Sequence, residues 1–267
     1  MDWDEMAKPW LAAGPDLEVA FQDIFRVLFE AANLRPGERV LDIGCGTGPT
    51  LPKAAKAIGP SGRLVGIDIA PPLLARASER MSDAAELVVG DAATHTFPPD
   101  TFDAIIANFG IMFFEDTQAA FAHLRQAVRP GGRLAATVWG PPSDNPWFAV
   151  PRQIIDAHVP DVPRPDPAAP GPMRFGDPSG LVKALVASGW HPQVTTKDIH
   201  LTPPGPASRV AQLHMLVTAV MMLKDVDASE DTIRDISAAL ETAMSEFESG
   251  TDIHVPARIH VITATAV

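Results

Sequence analysis

The feature that most constrains the fold is a short apolar segment followed by glycines at every second position. Residues 39–43 are typical of a buried strand, and Gly44, Gly46 and Gly48 follow directly. Glycine permits positive φ and lets a ligand approach the main chain closely. A helix predicted at residues 50–58 would direct unpaired N–H groups and the positive end of its dipole at this turn. The segment therefore predicts a binding turn for an extended, polar, adenosine-bearing ligand.

Short apolar segments alternate with helical segments along the middle of the chain. The predicted strands are residues 40–43, 64–67, 86–89, 102–107 and 133–139, followed by 194–201 and 259–264. Short apolar strands separated by helices are typical of a parallel sheet that is covered on both faces. The sequence therefore predicts an α/β fold with helices on both faces of the sheet.

Composition divides the chain into five parts. We expect a helical lid at residues 1–33, a ligand-binding core at 34–140, a proline-rich loop at 141–178, the rest of the sheet at 179–202 and 253–267, and a helical cap at 203–252. The proline-rich loop contains eleven of the 27 prolines and few apolar runs, so no regular structure is predicted there. The lid has an equally good alternative interpretation, as a helix that packs on the edge of the core.

Charge and cysteine content narrow the classes of partner. The net charge is −12, from 21 basic and 33 acidic side chains, and an acidic surface disfavours nucleic acid and anionic membranes. No apolar run is long enough to cross a bilayer, and the acidic N-terminal segment does not resemble a signal peptide. The only cysteine, Cys45, can form no internal disulfide, which fits a reducing compartment. We therefore predict a cytoplasmic protein without a nucleic-acid partner or membrane insertion.

Polar residues follow the predicted strands at the edge where ligands bind in open α/β sheets. Asp68, Asp91 and Asn108 come at or just after the second, third and fourth strands. An acidic residue after the second strand can accept hydrogen bonds from both ribose hydroxyls, and Asp68 lies 20 residues beyond Gly48. This arrangement fits NAD, FAD and S-adenosylmethionine alike.

The residues around the glycine turn discriminate among these ligands. A dinucleotide fingerprint requires glycine or alanine at the position that Pro49 occupies, where the proline ring would obstruct packing of the helix on the strand. The carboxylate of Asp42 would repel a diphosphate and attract the ammonium of a methionine moiety. S-adenosylmethionine is therefore the predicted cofactor, and a nicotinamide oxidoreductase is disfavoured.

Four segments carry a resemblance to a known family. They are VLDIGCGTG (40–48), GIDIAPPLL (66–74), VVGDAATHTFPPDTFDAIIANFGIMFF (88–114) and VRPGGRLAATVW (128–139). With these segments the chain resembles the class I S-adenosylmethionine-dependent methyltransferases, in particular the ubiquinone/menaquinone-biosynthesis C-methyltransferases and other small-molecule enzymes. The resemblance implies a Rossmann-like, seven-stranded mixed sheet whose last strand is antiparallel and inserted between the fifth and sixth.

The resemblance also implies a set of cofactor-binding residues. They are Asp42, Gly44, Cys45, Gly46, Gly48, Asp68, Ile69, Asp91, Ala92, Asn108 and Phe109. Asp42 and the glycine turn would face the methionine end, and Asp68 would hold the ribose. Ile69, Asp91 and Ala92 would contact the adenine. Asn108 and Phe109 would face the methyl donor and the acceptor, although Asp91 and Asn108 also fit a purely structural role as loop caps.

Candidates for the acceptor side come from aromatic and histidine positions. The predicted substrate-binding residues are Trp10, Trp139, Trp147 and His214, and the predicted catalytic residues are His214 and Asn108. A base is needed only if the attacking atom holds its proton tightly, and a lone histidine on an apolar helix is more often structural. The paired acids of metal-dependent O-methyltransferases are missing, so no metal is expected.

These observations predict a methyltransferase that acts on a small, largely apolar molecule by in-line methyl transfer. The alternative is a protein of the same fold that uses S-adenosylmethionine in another reaction, such as a cyclisation, or that serves as a non-enzymatic binding module. A small-molecule acceptor and a homodimer are the predicted partners.

Overall fold

The computed structural model describes residues 3–81, 83–164, 166–224 and 226–267. A seven-stranded sheet runs through the molecule in the order β3-β2-β1-β4-β5-β9-β6. Its strands are β1 (Arg39–Ile43), β2 (Arg63–Asp68), β3 (Glu86–Val89), β4 (Phe102–Asn108), β5 (Val128–Trp139), β6 (Trp190–Leu201) and β9 (Val255–Ala266). Strands β1 to β5 pair in parallel, and β9 pairs antiparallel with both β5 and β6. The predicted fold class and the inserted last strand are confirmed.

Helices cover both faces of this sheet. They are α1 (Trp3–Ala20), α2 (Gln22–Ala32), α3 (Leu51–Ile58), α4 (Pro71–Met81), α5 (Thr117–Ala127), α6 (Pro146–His158), α7 (Ser179–Ala187), α8 (Ala207–His214), α9 (Val220–Leu223) and α10 (Glu230–Ser245). Successive strand residues face opposite sides, so Ile105 joins the cluster under α5 and α7 while Ile106 joins the cluster under α3 and α4. Burial on both faces explains why the strands are continuous apolar runs.

The proline-rich loop predicted at residues 141–178 is wrong over much of its first half. Helix α6 occupies Pro146–His158, with Pro146 at its first position, where no N–H is needed. Trp147, Pro151 and Ile155 recur at every fourth position and are buried, so a packed face compensates for the hydrogen bond that Pro151 cannot donate.

Smaller differences occur at three other places. The helical segment predicted for the lid is two helices, α1 and α2, which meet at Phe21. Helix α3 begins at Leu51, so Pro49 precedes the helix rather than opening it. A two-stranded hairpin, β7 (Glu248–Ser249) with β8 (Asp252–Ile253), follows α10 and leads into β9.

Helix α1 is tied by ion pairs to both of its neighbours. Glu18 accepts two hydrogen bonds from Arg80 of α4, at 2.7 and 2.8 Å. Asp16 accepts two from Arg209 of α8, at 2.8 and 2.7 Å. Such bidentate pairs fix orientation as well as distance. Helix α1 is therefore held between the sheet-bearing core and the helices that follow β6.

In the parts of the chain that the structure covers, no helix combines the length and apolarity that crossing a membrane requires.

Candidate active site

A cavity of about 370 Å³ opens at the carboxyl edge of the sheet, under α1 and the helices after β6. The ends of β1, β2, β3 and β4 contribute residues 43–47, 67–69, 90–92 and 108–110 to its wall. The other lining residues include Trp3, Trp10, Leu17, Phe21, Trp139, Trp147, Phe148, Val217, Thr218 and Met221. The topology thus brings the predicted strand-end residues together at one concave site, as the switch in strand order requires.

The glycine turn is built from close backbone contacts. The N–H groups of Gly44 and Cys45 both donate to the carbonyl of Ile67, at 2.9 and 3.2 Å. Gly44 has φ +65°, and a Cβ on it would lie 2.9 Å from the Cα of Gly110. Gly46 also has positive φ, but a Cβ there would meet nothing within 4 Å. Gly44 therefore packs the turn against Gly110, just beyond β4, whereas Gly46 borders open space in the cavity.

Asp68 is the best-placed polar side chain of the cavity. Its carboxylate accepts hydrogen bonds from the N–H of Gly46 at 2.8 Å and of Ala70 at 2.9 Å. Burial raises the pKa of Asp68, although both N–H groups act in the opposite direction. The carboxylate links the glycine turn to the end of β2, and it is the residue predicted to hold a ribose.

Asp42 does not take the position that the sequence predicted. Its side chain is 1% exposed and does not belong to the described cavity wall. The hydroxyl of Thr50, which does line the cavity, donates to the Asp42 carboxylate. Asp42 therefore positions Thr50 beneath the turn, and its direct contact with a ligand stays a prediction.

Burial raises the pKa of Asp42 to about 7, well above the value of a free carboxyl group. The folded chain then holds more protons than the unfolded chain between about pH 4 and pH 7, so stability falls as pH rises through that window. We expect the cofactor-free protein to lose stability relative to Asp42→Asn across this range, by roughly 1.4 kcal/mol for each unit of pKa difference. Urea unfolding at pH 4.5 and pH 7.5 would measure the free energy of unfolding of both proteins. An equal change in the two proteins between these pH values would contradict the prediction.

Gly48 and Cys45 differ in their relation to the cavity. Gly48 is not among the described wall residues, because its Cα faces α4, where a Cβ would lie 3.1 Å from that of Ala77. The glycine therefore serves helix packing, and its contact with the cofactor stays a prediction. Cys45 does line the cavity, and burial raises the pKa of its thiol, so the thiol stays protonated.

The residues predicted to surround an adenine all lie on the cavity wall. Ile69 lines the cavity and is 52% exposed. Ala92 is buried beside it. Asp91 accepts a hydrogen bond from the N–H of Ala93 at 2.8 Å, so it caps its own loop while it lines the cavity.

Asn108 and Phe109 occupy the end of β4 in a strained arrangement. The hydroxyl of Thr137 donates to the Asn108 side-chain oxygen at 2.8 Å, which fixes the orientation of the amide. Phe109 has φ +66°, unusual for a bulky residue and common at functional sites. Its ring stacks on Trp139 with centroids 4.3 Å apart and an interplanar angle of 11°. Both residues line the cavity.

An aromatic wall forms one part of the cavity lining. It consists of Phe21, Phe109, Trp139, Trp147 and Phe148. Trp139 is its centre, with ring centroids 5.7 Å from Phe21 and 5.0 Å from Phe148. Trp139 and Trp147 thus lie on the cavity wall, where they were predicted. The sequence did not single out Phe21, because in a helical apolar pattern it resembles any core residue.

Trp10 lines the cavity on the other side. It packs against Ala7, Ala70 and Leu73, beside the end of β2, and its ring lies 6.4 Å from that of Trp3. Its indole nitrogen is buried and has no hydrogen-bond partner among the described residues. Trp10 also packs against the main core cluster, which contains Phe21 and Trp139. Its contact with the acceptor stays a prediction.

His214 is wrongly placed for the roles that the sequence predicted. It is fully buried, it is absent from the described cavity wall, and its ring lies behind Trp147 with centroids 4.2 Å apart. Burial lowers its pKa to about 3, so the imidazole is neutral at physiological pH. A buried neutral ring that does not reach the cavity can neither contact the acceptor nor remove its proton.

Comparisons with known proteins identify the family. A family model described as a methyltransferase domain matches residues 40–132. Nocamycin O-methyltransferase of Saccharothrix syringae is 34% identical over 212 residues, which cover 75% of this chain and 74% of that enzyme. The chain is a class I S-adenosylmethionine-dependent methyltransferase. The predicted family, enzyme class and cofactor are confirmed.

Other members of the methyltransferase family agree with this assignment. A ubiquinone/menaquinone biosynthesis C-methyltransferase of Burkholderia orbicola is 36% identical over 117 residues, 41% of this chain and 48% of that enzyme. Phosphoethanolamine N-methyltransferase 2 of Haemonchus contortus, solved with S-adenosyl-L-methionine, has a TM-score of 0.56 at 17% identity, over 94% of this chain and 56% of that one. At that identity the structural likeness is one of fold.

Within the described part of this methyltransferase, no group of three or more histidine, cysteine, aspartate or glutamate side chains is arranged to hold a metal ion.

Proposed function

We propose that this methyltransferase acts on a small, flat, largely apolar molecule, which binds between the glycine-turn side of the cavity and the aromatic wall. The observation that carries the proposal is the aromatic wall itself, centred on Trp139 at the end of β5. Aromatic rings present large apolar faces that favour stacked or edge-on contact with other rings. The family assignment favours methyl transfer over the alternative of a non-methylating or non-enzymatic protein.

The charges around the cavity support an uncharged acceptor. The wall residues with ionisable carboxyl groups are Glu18, Asp68, Asp91 and Glu115. Carboxylates favour a cationic sulfonium cofactor and repel an anionic acceptor. Within the described wall no lysine, arginine or histidine is available to pair with a phosphate or a carboxylate.

The residues would divide the work as follows. Asp68 would hold the ribose, Ile69 and Ala92 would contact the adenine, and the Gly44–Gly46 backbone would face the methionine end. S-adenosylmethionine supplies an electrophilic methyl group, which an acceptor lone pair attacks as the carbon–sulfur bond breaks. The aromatic wall would align the acceptor and exclude water, which is the main requirement of an in-line transfer. No described wall residue is a histidine base, so a hydroxyl acceptor would release its proton to solvent as the oxygen–methyl bond forms and the carbon–sulfur bond breaks.

Turnover with chemically distinct acceptors tests this proposal. We expect release of S-adenosylhomocysteine with flat apolar hydroxyl compounds such as 1-naphthol, and none with glycerol 3-phosphate. Phe148→Ala removes one ring of the aromatic wall and should lower kcat/KM at least about tenfold, while the Kd for S-adenosylhomocysteine changes less than twofold. Val150→Ala, on the same helix but outside the described wall, is the matched control. Turnover of charged acceptors alone would refute the proposal.

Location in the cytoplasm, assembly as a homodimer and the lack of nucleic-acid binding remain predictions. Sedimentation equilibrium of the purified chain would test the dimer, and a gel-shift assay would test nucleic-acid binding.

A further inference from the structure

The helix that covers the acceptor side of the cavity is interrupted by a π-helical turn. Helix α8 ends at His214, the π turn spans Met215–Ala219, and α9 continues from Val220. Val217 and Thr218 lie within the turn and line the cavity, as Met221 does one residue into α9. π turns are rare and occur mostly at functional sites. The turn places one hydroxyl group, that of Thr218, in an otherwise apolar part of the wall.

Thr218 and His214 form an isolated polar pair. Within the described chain the Thr218 hydroxyl has one partner, the Nδ1 atom of His214 at 3.4 Å. The other ring nitrogen of His214, Nε2, is buried and has no partner. Thr218 itself is 4% exposed. The pair therefore has unused hydrogen-bonding capacity at a site shielded from water.

These hydrogen-bond partners indicate which ring nitrogen of His214 carries the proton. A neutral imidazole carries one N–H, on either nitrogen. A buried N–H without an acceptor is rarer than a buried acceptor without a donor. The proton therefore belongs on Nδ1, which donates to the Thr218 oxygen, and Nε2 is the unpaired acceptor. The hydroxyl hydrogen of Thr218 is then left free to be donated into the cavity.

We propose that Thr218 is a specificity-determining hydrogen-bond donor of the acceptor site, that His214 is its positioning residue, and that the acceptor is an uncharged ring compound bearing a carbonyl or similar hydrogen-bond-accepting oxygen. This inference rests on the proposed function. The ionised carboxylates of the wall cannot donate to such an oxygen. Trp10 packs beside the end of β2, and Asn108 lies at the end of β4, next to the predicted methyl donor. The indole N–H groups of Trp139 and Trp147 belong to the aromatic wall itself. Thr218 is the hydroxyl donor that the π turn adds to the cavity wall.

A pair of probes of nearly equal shape tests the inference. 1-Tetralone and tetralin differ by one carbonyl oxygen, and their binding to the protein loaded with S-adenosylhomocysteine can be measured by isothermal titration calorimetry. We expect the wild type to bind 1-tetralone about tenfold more tightly than tetralin, the effect of one well-made buried hydrogen bond. Thr218→Val, which keeps the side-chain shape, should abolish the preference through loss of 1-tetralone affinity alone.

Three further variants separate positioning from packing. Thr218→Ser keeps the hydroxyl and should keep the preference. His214→Asn keeps a donor near Nδ1 and should retain most of it, whereas His214→Leu should reduce it, with tetralin binding unchanged in both. A wild type that binds both probes equally, or a Thr218→Val variant that keeps the preference, would overturn the inference alone. Failure of both probes to bind would overturn the apolar acceptor site and the inference with it.

Discussion

Replacing Asp68 with alanine is expected to weaken binding of S-adenosylhomocysteine by at least tenfold. The Asp68 carboxylate accepts from the N–H groups of Gly46 and Ala70, and it faces the cavity where a ribose would lie. Hydrogen bonds to a charged group contribute about 1.5–3 kcal/mol each, so loss of the ribose contact alone accounts for roughly a tenfold change or more. Loss of the link between the glycine turn and the end of β2 adds to it. Isothermal titration calorimetry with S-adenosylhomocysteine is the measurement.

Two control variants test whether the loss of affinity in Asp68→Ala comes from the lost cofactor contact. Asp68→Asn keeps one acceptor oxygen but no charge, so its affinity should fall between the wild type and Asp68→Ala. Asp161→Ala removes a negative charge from an exposed position and should leave the affinity unchanged. An Asp68→Ala protein that binds as tightly as the wild type would show that this carboxylate does not hold the cofactor.

Gly44→Ala should destabilise the fold by about 3 kcal/mol, because a residue with a Cβ is strained at φ +65° and the added carbon would press on Gly110. The added Cβ would lie 2.9 Å from the Cα of Gly110, a backbone atom, so no side chain can move aside to relieve the clash. The turn after β1 and the segment after β4 would have to separate, which would also distort the cavity. Urea unfolding at constant pH measures the first effect, and S-adenosylhomocysteine titration measures the second.

The matched control for Gly44 is Gly180, in the first turn of α7. A Cβ on Gly180 would meet nothing within 4 Å, and its φ is not positive. Gly180→Ala should therefore be neutral, or stabilise the protein by up to about 1 kcal/mol through reduced freedom of the unfolded chain. Equal effects at positions 44 and 180 would mean that the close approach of β1 and β4 is not a constraint.

The strands and their ends could be predicted from the sequence. How far each strand-end residue reaches toward the cavity could not. Asp42 and Asp68 look equivalent in the sequence, because each is an acid at the end of a strand. In the sheet, Asp42 pairs with Gly66, so Asp68 reaches two residues further toward the cavity. Register between strands is a tertiary property, and it decides that Asp68 lines the cavity while Asp42 lies beneath it.

Predictions from composition in the second half of the chain were wrong because they also depend on tertiary structure. Proline content indicated a loop at residues 141–178, yet the spacing of Trp147, Pro151 and Ile155 allows one buried helical face. His214 looked like a base because it is the one histidine in an apolar helix. The π turn after it, which directs Thr218 rather than His214 to the cavity, has no counterpart in apolar periodicity.

The inserted strand β9 has a consequence for how the molecule is made. It fills the gap between β5 and β6, and it follows both of them in the chain. During synthesis β5 and β6 would each have one edge with unpaired backbone N–H and C=O groups until β9 emerges from the ribosome. Unpaired edges of this kind recruit other strands readily. Because β9 is synthesised after β5 and β6, it is also the strand that prevents the incompletely folded sheet from pairing with other chains.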